Sequence, residues 1–157
     1  MLALVFCAVS GAVAFAPQPA GDGDADKLYE EGKALYDSKD YTAALAKLLP
    51  AAKKGHKKAQ YRVGRCYDKG HGVEEDNVEA VKWYSKSADQ GYYKAEYQMA
   101  RACLKGKGGL QASEKKARQW VKLATGGKKH GAEMLQEIKE SAEKGDKTDQ
   151  QLLELLR

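Results

Sequence analysis

Small and apolar residues return along this chain at helical spacing, and the whole pattern then returns as a block. The stretch AQYRVGRCYDKGHGV, from Ala59, is followed by AEYQMARACLKGKGG, from Ala95. Ala59 answers Ala95, Tyr61 answers Tyr97, Gly70 answers Gly106 and Gly72 answers Gly108, each 36 positions on. The downstream halves repeat too: EAVKWYSKSADQG from Glu79 and KARQWVKLATGG from Lys116, with Ala80 matching Ala117 and Trp83 matching Trp120, now 37 apart. The unit therefore accepts one extra residue in the glycine-rich loop between its halves. A fixed period of this length marks stacked helical hairpins, each unable to bury its apolar face alone.

Element by element, the pattern predicts a first helix over residues 26–38, after a polar Gly/Asp linker at 21–26 that is expected to be disordered. After the turn Lys39-Asp40, a second helix is expected over 42–54, with Thr42 as its N-cap and Gly55 as its terminator. Pro50 lies inside it and predicts a kink. Further helices are expected over 57–68, from the N-cap Asp76 to Gly91, over 93–105, after Ser113, and over 132–144. Leu152, Leu153, Leu155 and Leu156 predict a short final helix that lies as a lid on the last apolar edge.

The residues that carry the period, from Ala59 to Gly91, spell A-x-Y-x-x-G-x-x-Y-x-x-G-x-G-V-x-x-D-x-x-x-A-x-x-W-Y-x-x-x-A-x-x-G. This string resembles the Sel1-like repeat, a relative of the tetratricopeptide repeat. The next unit departs from it: Ala100 replaces the first glycine, Cys103 the second tyrosine and Val121 the second aromatic of the Trp-Tyr pair. Residues 27–55 look like a tetratricopeptide-type unit, with Leu28, Gly32, Leu35, Ala44, Leu48 and Ala51 at the matching spacing. The resemblance covers residues 27–144. It implies an all-α fold over residues 26–157: a right-handed α-solenoid of stacked antiparallel helical hairpins with a short C-terminal capping helix. It further implies a protein–protein interaction scaffold whose first helices line a concave groove. A few secreted members of the family are linked to cell-wall-type substrates, which makes an enzyme the rival implication. Some members carry a disulfide within each repeat, and this sequence has no such pair.

A chain of 157 residues is one domain by length, and 31% charged residues with 8% aromatics make its folded part soluble. The net charge is +5, and the lysines fall in doublets: Lys53-Lys54, Lys57-Lys58, Lys115-Lys116 and Lys128-Lys129. Such doublets read first as solvated helix ends, where cations favour the C-terminal dipole. The alternative is a basic surface module for RNA or membrane, but no nucleic-acid motif accompanies them. Cys66 and Cys103 fall on neighbouring helices about 8–10 Å apart, beyond the roughly 7 Å a disulfide spans, so free buried thiols are expected. His56, His71 and His130 each sit beside a glycine at a loop, without metal-ligand spacing, and are expected to be exposed. GKGG at 106–109 lacks the Lys-Ser/Thr ending of a phosphate loop, and the repeat itself accounts for its glycines. Glu74, Glu75 and Asp76 read as a solvated loop and a cap. With no nucleophile beside a base, the sequence predicts no catalysis, no cofactor and no metal.

One constellation points outward. In the first helix of each unit an aromatic precedes a cation by four positions: Tyr29/Lys33, Tyr61/Arg65 and Tyr97/Arg101. Residues so spaced share a helix face, and stacking would align the pairs as a ladder. Aromatics with cations suit an extended or C-terminal peptide that bears carboxylates. The competing expectation is that the tyrosines pack between hairpins and the cations merely solvate the face.

The first residues have their own character. MLALVFCAVSGAVAFA has no charge, is too short to span a bilayer and looks like a signal peptide over residues 1–14. Ala12 and Ala14 frame an A-x-A cleavage site before Phe15, leaving residues 15–25 as a leader or short transit segment. AVAFAP resembles the ASAFAP junction of plastid-targeting leaders in algae with complex red-derived plastids, although the acidic PQPAGDGDAD beyond it is untypical of a transit peptide. A complex plastid is favoured, with the ER lumen or secretion as the alternative. N-terminal sequencing of the native protein should begin at Phe15, and an intact Met1 refutes the signal peptide. Phe15→Ala in a tagged chain should divert it from the plastid to the secretory route.

Overall fold

Polar side chains start most of the helices. Asp40 accepts the Ala43 N–H at 3.2 Å, His56 the Ala59 N–H at 3.1 Å, Ser113 the Lys116 N–H at 3.4 Å, and Asp76 the N–H groups of Val78 and Glu79 at 2.8 and 3.0 Å. Each cap satisfies donors that the first helical turn leaves unpaired. The computed structural model describes residues 22–157, and all regular structure among them is helical: α1 (Asp22–Asp37), α2 (Tyr41–Lys53), α3 (Lys57–Lys69), α4 (Asn77–Ala88), α5 (Tyr93–Lys105), α6 (Glu114–Gly126), α7 (Gly131–Glu143) and α8 (Lys147–Leu156), with a 3-10 turn at Lys107–Gly109 before α6. The expected signal peptide, its junction at Phe15 and Cys7 lie outside the described residues.

Two local expectations are corrected. Residues 22–26 are not a linker but the opening of α1. Ala25 is buried, Asp24 pairs with Lys54, and Asp26 meets the His56 Nε2 at 3.0 Å. The N-cap of α2 is Asp40 rather than Thr42. As expected, α2 carries Pro50 inside it and runs on to Lys53. Pro50 and Ala46 are both exposed, on the solvent side of the helix, where a missing backbone donor costs least.

The helices pair as antiparallel hairpins, α1 with α2, α3 with α4 and α5 with α6, and each hairpin rests on the one before it. Close approach is set by residue size. A Cβ on Gly64 would stand 2.7 Å from the Tyr84 ring, so glycine is what lets the aromatic lie flat on α3. In the next unit Ala100 and Val121 occupy the two positions, and both are fully buried. The added methyl on α5 is matched by the smaller side chain on α6, so the departure from the repeat is compensated within the hairpin.

The second loop glycine joins one hairpin to the previous one. Gly72 has φ +74, and a Cβ there would press on the Tyr41 carbonyl oxygen at 2.5 Å. Gly108, with φ +63, stands against the Asn77 carbonyl in the same way. Only glycine combines that backbone with that proximity, which gives the GKGG segment a structural role. Trp83 joins the core built by α1, α2 and α3, so it too bonds its hairpin to the preceding one. At the far side, Leu152 of α8 is fully buried among Val121, Met134 and Ile138. The expected lid is therefore present, and it begins at Lys147, five residues before its leucines.

Candidate partner-binding site

The aromatic and cationic side chains of the first helices do not form one uniform ladder. Each pair has a different fate.

In the first pair, Tyr29 is buried and stacks on the His56 ring at 4.5 Å between centroids. The cation above it is Lys58 of α3, at 5.9 Å. Lys33 is turned elsewhere, 3.8 Å from Glu30. Tyr29 is thus committed to the seam between α1 and α3, while Lys33 stays exposed.

In the second pair, Tyr61 is partly buried and packs its ring against Tyr84 and, edge-on, against Tyr92 at 5.3 Å. Arg65 is half-buried and lies 5.8 Å from the ring of Tyr36, which Arg62 also approaches, at 5.1 Å. Arg62 has a carboxylate at 3.5 Å, Asp37. Arg65 has none among the described residues: the groups that act on its charge are Tyr61, Tyr36 and Tyr84. Burial pushes the Tyr61 hydroxyl above its ordinary pKa, so it remains a donor.

In the third pair the carboxylates are supplied by the chain itself. The Tyr97 hydroxyl donates toward both oxygens of Asp149 at 2.8 Å. Arg101 places one nitrogen 2.6 Å from Asp149 Oδ1 and the other 2.7 Å from Asp146 Oδ2. The first of these nitrogens also donates to the Tyr97 hydroxyl at 3.0 Å. Asp146 is the N-cap of α8 and takes the N–H groups of Thr148 and Asp149 at 2.8 and 3.2 Å. Burial pushes its carboxyl up, but the Arg101 guanidinium and those two N–H groups outweigh that and hold it at about 2. Asp149 is fully buried. Arg101 and Tyr97 therefore clamp α8 and are not free for a partner, which corrects the expectation that all three pairs line an open groove.

The sequence reading missed Tyr36, Arg62, Asp146 and Asp149. Tyr36 stands seven residues after Tyr29, two turns along one face of α1. The two aspartates stand three apart ahead of an apolar run, which is a helix-start signature.

Two of the histidines are also corrected. His56 caps α3 while stacked on Tyr29. His71 bonds the Tyr36 hydroxyl at 3.0 Å and stacks on Tyr41 at 4.0 Å. His130 stacks on Tyr93 at 4.6 Å. His56 and His71 are joints between hairpins rather than exposed loop residues, since a flat imidazole fills the gap beside a tyrosine ring, whereas the His130 side chain stays largely exposed, as expected. The lysine doublets are exposed throughout. Cys66 and Cys103 are free and buried, and burial pushes the Cys66 thiol up to about 11. Among the described residues no three His, Cys, Asp or Glu side chains converge as a metal site, and no helix is long and apolar enough to cross a membrane.

With that geometry in place, the relatives are informative. The Sel1 repeat family matches residues 57–92 and 94–125. Among solved structures, a Sel1 repeat protein from Oxalobacter formigenes is 37% identical with a TM-score of 0.61, over 68% of this chain and 44% of that one. The protein c5321, a protective antigen of uropathogenic Escherichia coli strains that displays an SLR fold, is 30% identical with a TM-score of 0.61, over 65% of this chain and 22% of its own. The chain thus spans less than half the length of either neighbour. The family match falls on α3 to α6, where the loop glycines and the Tyr-x-x-x-Arg pairs repeat, and the chain is a Sel1-repeat protein with the α-solenoid fold of that family.

Proposed function

We propose that this chain is a non-catalytic adaptor that holds a partner protein by an acidic segment laid against the first-helix face at Arg65 and Tyr61. Sel1-repeat proteins serve as protein–protein interaction scaffolds, and the finer reading rests on one observation. Arg65 is a half-buried guanidinium between tyrosine rings with no carboxylate of its own among the described residues. A cation so placed is partly stripped of water and still keeps its donors, so an incoming carboxylate, from a side chain or a free C-terminus, gains a charge-assisted bond. The leader at residues 1–14 would place this adaptor beyond the secretory membrane, in a complex plastid first and otherwise in the ER lumen or outside the cell.

The test uses the full chain as bait, with the captured partner then purified for titration. A charge-assisted contact contributes about 1.5–3 kcal/mol, so Arg65→Ala should lower affinity at least about tenfold. Its helical circular dichroism and melt should stay those of wild type. Arg101 is unsuitable for this purpose, because it holds α8. Lys128→Ala with Lys129→Ala serves as the control. If the lysine pair matters and Arg65 does not, a basic surface module for RNA or membrane replaces the adaptor reading.

A further inference from the structure

The third pair shows what a Tyr-x-x-x-Arg pair of this repeat recognises when it is filled. Its ligand is neither an extended strand nor a chain terminus. It is the opening turn of a helix, with the N-cap Asp146 and, three residues on, Asp149. The two carboxylates meet different ends of one guanidinium, and the tyrosine hydroxyl closes on the second carboxylate. The first carboxylate serves twice, since Asp146 also caps its own helix through Oδ1 while Oδ2 faces Arg101. That dual use makes the spacing matter. A residue at the N-cap, paired with one three positions later, presents both groups on one side of a first turn, whereas adjacent residues do not.

Tyr61 and Arg65 stand one repeat earlier, at the same positions of α3 that Tyr97 and Arg101 hold on α5. They carry the same donors without an acid bound to Arg65 among the described residues. Glu137 of α7 lies near enough for its charge to be felt at the Tyr61 hydroxyl but makes no ion pair with Arg65. We infer that Arg65 and Tyr61 accept from a partner protein what α8 gives to Arg101 and Tyr97: the N-terminal turn of a helix carrying an Asp-x-x-Asp pair. This rests on the adaptor reading above and narrows it to one class of protein segment.

A synthetic helical peptide tests the inference with the full chain. It opens Asp-Lys-Thr-Asp, continues in alanine and lysine so that it lacks the leucines that seat α8, and is amidated so that it has no terminal carboxylate. A second peptide opens Asp-Asp-Lys-Thr, with the same composition and charge. Binding is read by fluorescence anisotropy, and its place by amide chemical-shift changes on α3. The first peptide should bind at least tenfold tighter than the second, and Arg65→Gln should erase the difference. Tyr61→Phe, which keeps the ring and drops the hydroxyl, should weaken the first peptide several-fold, and it serves alone if Arg65→Gln does not fold. Equal binding of the two peptides, no binding of either, or binding indifferent to both substitutions overturns the inference. A third peptide, without the acidic opening but with a free C-terminal carboxylate, separates the two levels. If only that one binds, and through Arg65, the helix-turn inference fails while the adaptor reading survives.

Discussion

Arg101→Ala should lower the stability of the folded chain by about 3–5 kcal/mol, the usual consequence of leaving a buried charge without its partner. The stranded group is Asp149, which is fully buried and keeps only the Tyr97 hydroxyl once the guanidinium is gone. Asp146 loses its counter-ion at the same time. Leu152 rides on the same helix, so loosening α8 also opens the apolar cluster with Val121, Met134 and Ile138. The informative control is Arg65→Ala. It removes the same residue type from the same position of the preceding unit, where no carboxylate is bound among the described residues, and should cost clearly less. Urea denaturation of the two variants makes the comparison, and equal losses would show that the clamp on α8 contributes nothing. The clamp also has a pH signature. The Asp146 carboxyl is held at about 2 in the folded chain, against about 4 when unfolded. Its share of stability is therefore complete above about pH 4 and fades as the pH falls toward 2. Asp146→Asn should flatten that part of the stability profile.

Trp83→Ala should cost a comparable amount, about 3–5 kcal/mol for an aromatic truncated in a core, and for a different reason. Trp83 is carried by α4 but buried in the cluster of α1, α2 and α3 that includes Leu48 and Val63. Its loss leaves a cavity at the seam between the first two hairpins. In a solenoid, stability is the sum of each unit and its nearest-neighbour interfaces. Weakening one seam should therefore broaden the urea transition as well as shift it, because the first hairpin is freed to melt apart from the rest. Trp120, the equivalent residue of the next unit, is only partly buried, and Trp120→Ala should cost clearly less. If the two substitutions are equivalent, or if Trp83→Ala melts within a degree or two of wild type, the seam is not held as described.

What was legible in the sequence follows from what repeats. The caps Asp76 and Ser113, the bounds of α5 and the loop glycines all recur at the period, and all stand where expected. Local chemistry that occurs once was harder to read. Gly23 and the aspartates around it have the composition of a linker, but a distant lysine, Lys54, and a histidine, His56, meet those charges and make the segment a helix start. His56 and His71 looked like loop residues because their tyrosine partners lie one hairpin away. The candidate site split for the same reason. The spacing of Tyr29/Lys33, Tyr61/Arg65 and Tyr97/Arg101 is uniform, whereas their surroundings are not, since α8 reaches only the third pair and Glu30 draws Lys33 away from Tyr29. A periodic pattern identifies equivalent positions, but their occupancy depends on contacts that are not periodic.

The loop glycines that press on the hairpin before them have a consequence for how the chain is made. Gly72 docks on Tyr41 and Gly108 on Asn77, so the seams between the first three hairpins are each completed by a segment that follows the surface it touches. A ribosome that extends the chain from its amino terminus would deliver each of these hairpins onto a platform already in place. The longest-reaching side-chain bond, from Tyr97 to Asp149, spans 52 residues and arrives with α8. Assembly in order of synthesis would therefore finish with that helix closing over the third hairpin, and the buried ion pair would be the last bond made.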